Sequence, residues 1–498
     1  MTGKESIHNS LNIKRKNYYY ILIVFFILWC FFEFYLAAKA FSLDYDEGVY
    51  LQTALQHARG QSLYRELFLS QPPLLVESLT VLIKLFSNNV FIARTFIITF
   101  GFLAIITTFL IARELFNKDV AFLACILSGI NFYLFYTSSV VQSDMPSLAL
   151  ALFVIYSVLK YNRTMKIKWI MISAILFALS NAFKLLELFF VLPISYLLIV
   201  SLFDEKHIIY DKNKFINILK NHIIYTITFL VVITAILLNY HIPSFKSQVI
   251  GMGSEGVFHI SKRAKMIADT YIGWHPGLFI FTITGLFNIY FIDKKKFYFF
   301  ITWIISQLTF YILMSTWLQQ HHFIVLFPVL SIVSSAGIER FIENYKRNEW
   351  KLFKNLKNKK RILYLTIGAF IFLMAIPNLS WNVWLLYKRT NSTQFIEEKE
   401  LMKIITLYTK PDDLLISDIQ MATFRAGRLT YPELVDTSNK RISTGSLKEN
   451  TLMNLQDDPK LVIFWTGRLK RFQNFYRFIF ENYRIIYKKN GREIFIKE

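Results

Sequence analysis

The sequence has few cysteines and few acidic residues for its length. Only Cys30 and Cys125 occur among 498 residues, and both fall inside apolar runs, so no disulfide can staple the C-terminal region. Asp and Glu number 34 against 56 Lys and Arg, and metal-ligand spacings such as HExxH or CxxC are missing. The acidic residues that are present therefore stand out, and Asp44, Asp46 and Glu47 lie almost side by side after the first apolar run.

The composition places the chain among polytopic membrane proteins. Its hydrophobic content is 54%, its aromatic content is 17% and its mean hydropathy is +0.39, which is too apolar for a soluble protein of this size. At roughly 20 apolar residues per membrane-spanning helix, we count about eleven spans. Their centres lie near Val24, Ile105, Ser128, Leu152, Leu176, Tyr196, Val231, Ile283, Ile305, Leu330 and Phe370.

The basic residues that give the net charge of +22 cluster between alternate spans. The clusters are Lys14 to Lys16, Arg113 with Lys118, Lys160 to Lys168, Lys206 to Lys220, Lys294 to Lys296, and Arg340 to Arg361. This positive-inside pattern predicts a multi-pass protein of the cell membrane with a cytoplasmic N-terminus and an extracytoplasmic C-terminal tail. Such clusters favour contacts with membrane lipids and argue against nucleic acid as a partner.

The chain divides into two predicted domains, residues 1–387 in the membrane and 388–498 outside it. After Tyr387, short apolar or alternating runs of strand length occur at 413–417, 461–465 and 492–497, with helical stretches between them, which predicts a small α/β domain. Between the first two spans, Leu75, Leu79, Leu82 and Phe86 recur at helical spacing and predict a helix lying on the outer membrane surface.

With this topology, polar residues at the edges of several spans come together on the outer face. A carboxylate beside a hydroxyl can take its proton, and nearby cations can stabilise the charge that builds on a phosphate leaving group. The carboxylates are Asp46 and Asp144, and the cationic or ionisable groups are Arg94, Lys184, His321 and His322. This set predicts transfer of a group from a phosphate-activated donor.

Structural roles for the same residues stay open. Asp44 or Asp46 could cap the helix that follows, which is worth about 1 kcal/mol, and Asp144 could cap a helix that has proline in its first turn. At helical spacing, Lys184 could form a plain ion pair with Glu187.

Adjacent residues on a helix do not face the same way, which bears on the two neighbouring histidines. His321 and His322 are adjacent in the sequence, so a helical segment would let at most one of them line a cavity. We expect one imidazole at the site and the other directed away from it.

The order of these motifs resembles the GT-C superfamily of polytopic glycosyltransferases. The resemblance is greatest to the branch shared by protein O-mannosyltransferases and lipid A aminoarabinose transferases, and it covers about residues 17 to 340. The matching residues are Asp46-Glu47 with Tyr50, Gly60, Tyr64, Gln71-Pro72-Pro73-Leu74, Arg94, Ser143-Asp144-Met145-Pro146, Lys184, His322-Phe323 and Phe327-Pro328.

The resemblance implies an inverting hexosyl or pentosyl transferase that uses a polyprenyl-phosphate-linked sugar donor. It implies that Asp46 is the catalytic base, that Glu47 orients the substrate or the loop, and that Asp144 lines the cavity. Lys184 and His322 would approach the donor phosphate. Aminoarabinose transferases have a Lys where this chain has Gln71, so that phosphate contact is missing or supplied elsewhere.

Three points stay open at this level. The acceptor could be a protein, a lipid or a cell-envelope glycan. No cofactor is predicted, although the carboxylates and histidines could bind a divalent cation. The alternative function is a secondary transporter of a small polar solute, but transporters concentrate polar residues and broken helices near the midplane of the membrane, whereas these residues lie at one edge.

Overall fold

The computed structural model describes residues 2–41, 43–200, 212–251, 260–313, 319–346, 368, 371–391, 394–411, 413–455 and 459–497. In this part of the chain, six helices are long and apolar enough to cross a membrane, and two bent helix pairs raise the number to eight. Every predicted span centre except Phe370 falls in an apolar helix. Phe370 and the basic run at 347–361 lie outside the described residues.

The α-helices of the membrane part, as far as the structure describes it, are numbered here in chain order. They are α1 (Thr2–Lys39), α2 (Tyr45–Ala58), α3 (Leu74–Phe86), α4 (Val90–Leu115), α5 (Lys118–Ile130), α6 (Phe132–Ser138), α7 (Asp144–Thr164), α8 (Lys168–Phe183), α9 (Val191–Ile199), α10 (Lys212–Leu237), α11 (Ile242–Phe245), α12 (Ile260–Ala268), α13 (Pro276–Ile292), α14 (Lys294–Leu313), α15 (Phe327–Lys346) and α16 (Ile376–Asn391). Segments of 3₁₀-helix cover Leu185–Phe190 and Gln320–Leu326.

The sequence predicts about eleven spans, several of them short, and among the described residues several apolar helices are bent or shorter than an ordinary span. Asn131 ends α5 and caps α6 through its side-chain oxygen, and the two helices meet at 63°. The helical segments 260–273 and 276–292 meet at 88°. The helices α8 and 185–199 are shorter than an ordinary span. Irregular backbone of this kind at membrane depth is tolerated where protein covers it or where it lines a cavity.

Close helix packing in the membrane part depends on small residues. A Cβ atom added to Gly337 on α15 would lie 2.8 Å from the Cα atom of Gly285 on α13, so the two helices touch backbone to backbone. Small residues at membrane helix crossings allow this approach. The helix α7 lies near the middle of the bundle, because 83% of its most apolar stretch is buried inside the protein.

The helix predicted between the first two spans is present as α3, and it packs against α2. Leu75 and Leu79 on α3 are buried, and His57 on α2 lies 3.3 Å from the Glu77 carboxylate on α3. The Tyr240 hydroxyl donates a 2.6 Å hydrogen bond to Glu77. The two helices between the first two spans are therefore tied together near the C-terminal end of α2.

The C-terminal domain, residues 394–497 as described, is a small α/β unit, so the predicted fold class is confirmed. Its five strands run in the order β2-β1-β3-β5-β4, with β1 parallel to β2 and β3, and with β5 antiparallel to β3 and β4. The strands are β1 (Leu414–Ser417), β2 (Leu429–Thr430), β3 (Leu461–Phe464), β4 (Arg484–Lys489) and β5 (Arg492–Ile496).

The helices of this domain include the predicted helical stretches. They are α17 (Gln394–Tyr408), α18 (Gln420–Arg425), α19 (Asn439–Ser443), α20 (Glu449–Met453) and α21 (Gln473–Asn482). The helix α16 runs without a break across the predicted domain boundary between residues 387 and 388. That boundary stays a prediction.

Candidate active site

Asp46 lies in the first turn of α2, just beyond the end of α1. The helix begins at Asp44, whose side-chain oxygen accepts a 2.9 Å hydrogen bond from the backbone N–H of Glu47. An Asp at the N-cap position supplies the acceptor that the free N–H groups of a first turn require. The capping role that the sequence allowed for either aspartate is thus filled by Asp44, and Asp46 stands outside the cap.

Glu47 and Arg94 form a buried, bidentate ion pair that joins α2 to α4. Two guanidinium nitrogens of Arg94 lie 2.7 Å from the two carboxylate oxygens of Glu47, and both side chains are 0% exposed. Arg94 also donates to the carbonyl oxygen of Ala40 at 2.6 Å, and the backbone N–H of Val141 donates to Glu47 at 3.2 Å. The Glu47–Arg94 pair therefore connects the end of α1, the start of α2, α4 and the segment before α7.

The charge of Arg94 also decides the ionisation of its partner. Burial alone would raise the pKa of Glu47, but the charge and the hydrogen bonds of Arg94 outweigh it and lower that pKa. The predicted substrate-binding role of Arg94 stays a prediction, and the contacts that the structure gives its guanidinium are to protein groups. These contacts favour a role for Glu47 and Arg94 in positioning the loop.

Asp144 and Lys184 form a second buried ion pair, between the first turn of α7 and the break after α8. The Lys184 ammonium lies 2.7 Å from the Asp144 carboxylate, with 8% and 2% of the two side chains exposed. Lys184 has extended backbone, φ −159° and ψ 132°, because α8 ends at Phe183. The helical spacing that would pair Lys184 with Glu187 does not apply across this break, so the ammonium turns to Asp144.

His321 and His322 both lie beside this pair. The ring nitrogen Nε2 of His321 is 3.9 Å from the other carboxylate oxygen of Asp144. The two imidazole rings meet edge to face with centroids 4.4 Å apart, and the backbone N–H of Gln319 donates to Nδ1 of His322 at 3.2 Å. The expectation that only one histidine would lie at the site does not hold for this 3₁₀ segment, in which the ring contact keeps the imidazoles together.

The electrostatic surroundings of Asp46 link it to the Asp144–Lys184 pair. Asp46 is half-buried, and the loss of water together with the charges of Asp44 and Asp436 raises its pKa to about 7. Lys184 and Arg468 act in the opposite direction. A carboxylate with a pKa near the working pH is suited to general base catalysis, because it is both available and able to hold a proton.

A divalent cation fits this cluster poorly. Asp144, His321 and His322 offer ligand atoms within 4.8 Å of one another, which is close enough for a metal ion. The Lys184 ammonium already holds Asp144 at 2.7 Å, so a divalent cation would lie beside a buried positive charge. The charge arrangement suits an anion such as a phosphate better.

The sequence interpretation missed the contribution of the C-terminal domain. The Tyr45 hydroxyl donates to the carboxylate of Asp436 at 3.1 Å, and the Arg468 guanidinium lies 3.5 Å from the centre of the Tyr45 ring. Residues nearly 400 positions apart meet here, and neither Asp436 nor Arg468 stands in a motif. In the sequence, the only hint of this contact between the C-terminal domain and α2 is that Tyr45 precedes Asp46.

One part of the sequence matches a known protein family. Residues 70–240 match the model of the dolichyl-phosphate-mannose-protein mannosyltransferase family. A comparison with curated protein sequences gives no significant match. The match to the family model includes Arg94, Asp144 and Lys184.

Solved structures with a similar fold include ArnT of Cupriavidus metallidurans and an oligosaccharyltransferase of Archaeoglobus fulgidus. ArnT from Cupriavidus metallidurans in the apo state aligns with a TM-score of 0.66 and 11% identity over 95% of this chain and 97% of ArnT. ArnT bound to undecaprenyl phosphate gives a TM-score of 0.65 and 13% identity with the same coverage. AglB from Archaeoglobus fulgidus, in complex with an inhibitory peptide and a dolichol-phosphate, gives 0.53 and 14% over 97% of this chain and 74% of AglB.

These likenesses define the class of the protein as a polytopic membrane protein with the GT-C fold, as the sequence resemblance predicted. Within that class, the chain is similar along nearly its whole length to ArnT of Cupriavidus metallidurans, including the C-terminal part. At 11–14% identity, the likeness concerns the fold.

Proposed function

We propose that the protein is a membrane glycosyltransferase that moves a sugar from a polyprenyl-phosphate-linked donor to an acceptor hydroxyl. The observation that carries the proposal is the buried Asp144–Lys184 ion pair, whose Lys184 charge acts on the half-buried carboxylate of Asp46. The similar structure of ArnT with undecaprenyl phosphate and the match to a mannosyltransferase family model support a lipid-phosphate donor. A secondary transporter concentrates its polar residues near the midplane of the membrane between two repeats, whereas Asp46, Asp144 and Lys184 lie at helix ends.

The proposed reaction is a single displacement at the anomeric carbon of the sugar. Asp46 takes the proton of the acceptor hydroxyl, and the acceptor oxygen forms a bond to the anomeric carbon. The bond from that carbon to the phosphate oxygen breaks, its electron pair stays on the phosphate, and polyprenyl phosphate leaves. Because attack and departure occur on opposite faces of the sugar, the anomeric configuration inverts.

Lys184 and the histidines would stabilise the phosphate that forms. The Lys184 ammonium provides a fixed positive charge in a site with little water, where such a charge is worth more than in solution. His321 and His322 can each donate or accept a hydrogen bond from a ring nitrogen. Asp144 holds Lys184 in place, so its proposed role is to line the site and orient this cation.

The direct test is turnover of purified protein in detergent. With a polyprenyl-phosphate sugar and a hydroxyl acceptor, we expect release of polyprenyl phosphate in step with sugar transfer. A protein that binds the donor and releases no polyprenyl phosphate with any acceptor class would contradict the proposal. The donor sugar, hexose or pentose, and the acceptor, a protein, lipid or cell-envelope glycan, are the variables of this assay.

The pKa of Asp46 predicts the pH dependence of the reaction. A base whose pKa is raised to about 7 is protonated, and hence inactive, in acid where an ordinary Asp would still be ionised. We expect kcat/KM to rise about tenfold per pH unit up to pH 7 and to level off above it. Initial rates between pH 5 and 9 measure this profile. A profile that is flat down to pH 5 would mean that Asp46 does not act as the base.

The positive-inside pattern supports a position of the site and the C-terminal domain on the outer face of the membrane. In a variant with Cys30 and Cys125 replaced by Ala, we expect Ser443→Cys in the C-terminal domain to react with an impermeant thiol reagent in intact cells. Thr164→Cys, at the end of α7, should react after the cells are opened and not before. Both positions are exposed on the protein surface. Labelling of Thr164→Cys alone in intact cells would reverse the proposed orientation.

A further inference from the structure

The C-terminal domain docks directly on α2, the helix that carries Asp46. A Cβ atom added to Gly48 would lie 2.3 Å from the backbone nitrogen of Met421 in α18, so the two helices meet without an intervening side chain. Gln56 donates to the carbonyl oxygen of Thr430 at 2.8 Å, in a buried position. These contacts fix the C-terminal domain against the outer side of the membrane part and leave α2 between the two.

The same interface continues to the start of α2. The hydrogen bond from Tyr45 to Asp436 and the stacking of Arg468 on the Tyr45 ring hold the residue next to Asp46. Asp436 is itself fixed, because its carboxylate accepts a 2.7 Å hydrogen bond from the backbone N–H of Ser438 and its carbonyl oxygen accepts one of 2.7 Å from Arg441. Asp436, held in place within its own domain, and Arg468 therefore bring one negative and one positive charge near the proposed base.

We propose that the C-terminal domain is a working part of the active site, in which Asp436 and Arg468 are positioning residues that act on Asp46. This inference rests on the proposed function, in which Asp46 is the base. Asp436 binds the hydroxyl of Tyr45 and Arg468 lies over its ring, so together they fix the direction of the first turn of α2. They also place one negative and one positive charge beside the base. Docking of the C-terminal domain is thereby coupled to the reaction.

The two charges act on Asp46 in opposite directions. The charged groups that act on its carboxylate are Asp44 at the cap, Lys184 after α8, and Asp436 with Arg468 from the C-terminal domain. The hydroxyls of Tyr50 on α2 and Tyr136 on α6 also face it. A like charge disfavours the ionised base, and an opposite charge favours it. Loss of the Asp436 charge should therefore lower the pKa of Asp46, and loss of the Arg468 charge should raise it.

The test compares the pH profiles of Asp436→Asn and Arg468→Gln in the full-length protein. We expect the acidic limb of kcat/KM to move to lower pH in Asp436→Asn and to higher pH in Arg468→Gln, by roughly 0.3 to 1 pH unit each. Arg468→Lys keeps the charge and should keep the wild-type limb. Glu481→Gln and Arg477→Gln remove one charge of each sign from exposed positions on α21, and both should leave the profile unchanged.

A second measurement reports on Asp46 without turnover. A water-soluble carbodiimide modifies protonated carboxyl groups, so the pH dependence of its reaction with Asp46, followed by peptide mass spectrometry, gives the titration directly. Opposite shifts in the two variants would support the inference even if no acceptor were found. Shifts in the same direction, or none, in variants with the wild-type elution volume and melting temperature would overturn it. If wild-type protein titrates as expected and transfers no sugar, the proposed function fails and the coupling stands.

If Asp436→Asn does not fold, Tyr45→Phe provides the alternative variant. It removes the hydroxyl that binds Asp436 and keeps the ring on which Arg468 lies. We expect a lower kcat with an unchanged KM for the donor, because the first turn of α2 loses its fixed direction while the donor contacts stay. An unchanged kcat would overturn the positioning role.

Discussion

Asp46→Asn should reduce sugar transfer about a hundred- to ten-thousandfold, the usual contribution of a general base. Asparagine has the shape of aspartate but cannot take a proton from the acceptor hydroxyl. Because the cap of α2 is Asp44 and not Asp46, the substitution should leave the start of the helix intact. The variant is expected to insert, to fold and to bind its lipid donor as the wild-type protein does. Release of polyprenyl phosphate at matched protein levels measures the loss.

Asp44→Asn is the matched control for this substitution. Asn caps helices as well as Asp, so the hydrogen bond to the backbone of Glu47 can be kept. The Asp44 charge also raises the pKa of Asp46, so its loss should move the acidic limb of the rate profile to lower pH. Most of the activity at pH 8 should remain. Near-normal turnover by Asp46→Asn would show instead that the acidic cluster is structural.

Hydrophobic runs and charge clusters predict most of this fold from the sequence. Runs around Ile105 and Leu152 are long and apolar because each must cross the bilayer alone, and their helices appear where the sequence places them. The bends could not be read in this way. Asn131 breaks one apolar run by capping a second helix through the backbone N–H groups of Tyr133 and Leu134. Lys184 ends another run in extended backbone, and its partner Asp144 comes from α7, which only the folded bundle brings near.

The sequence predicts the residues that the membrane part contributes to the candidate site, but not those from the C-terminal domain. Asp46, Asp144, Lys184 and His321 stand at edges of apolar runs, and alternate crossing of the membrane brings such edges together. Asp436 and Arg468 lie in a domain whose docking depends on shape, such as the bare surface of Gly48 against Met421. Neither residue periodicity nor motif spacing in the sequence predicts the contact between Gly48 and Met421.

The sequence suggests substrate binding for Arg94, whereas the structure shows its side chain in a buried ion pair with Glu47. From its place at the start of a span, Arg94 was a candidate for binding the donor phosphate. In the fold, its guanidinium is 0% exposed, and its contacts are the carboxylate of Glu47 and the carbonyl oxygens of Ala37 and Ala40. These groups hold α2 against α1 and α4. Arg94 therefore fixes the start of α2 through the membrane part, and the C-terminal domain fixes it through Tyr45.

Arg94→Gln is therefore expected to destabilise the protein by about 3–5 kcal/mol, the usual result of removing one partner of a buried ion pair. The carboxylate of Glu47 would be left in a site without water and without its cation. The measurements are the melting temperature in detergent and the fraction of protein that elutes as a folded monodisperse species. Arg113→Gln, at the exposed far end of the same helix, removes the same charge and should leave both values near those of the wild-type protein.

The double variant Glu47→Gln/Arg94→Gln separates the two roles of Arg94. If the ion pair is structural, the double variant should melt at a higher temperature than Arg94→Gln alone, because two neutral amides can still share hydrogen bonds and no charge is left unpaired. Its sugar transfer should stay low, since the start of α2 is held less firmly. A wild-type melting temperature in Arg94→Gln, together with a raised KM for the donor, would instead place the guanidinium on the donor phosphate. The Glu47–Arg94 contact would then have to open when the substrate binds.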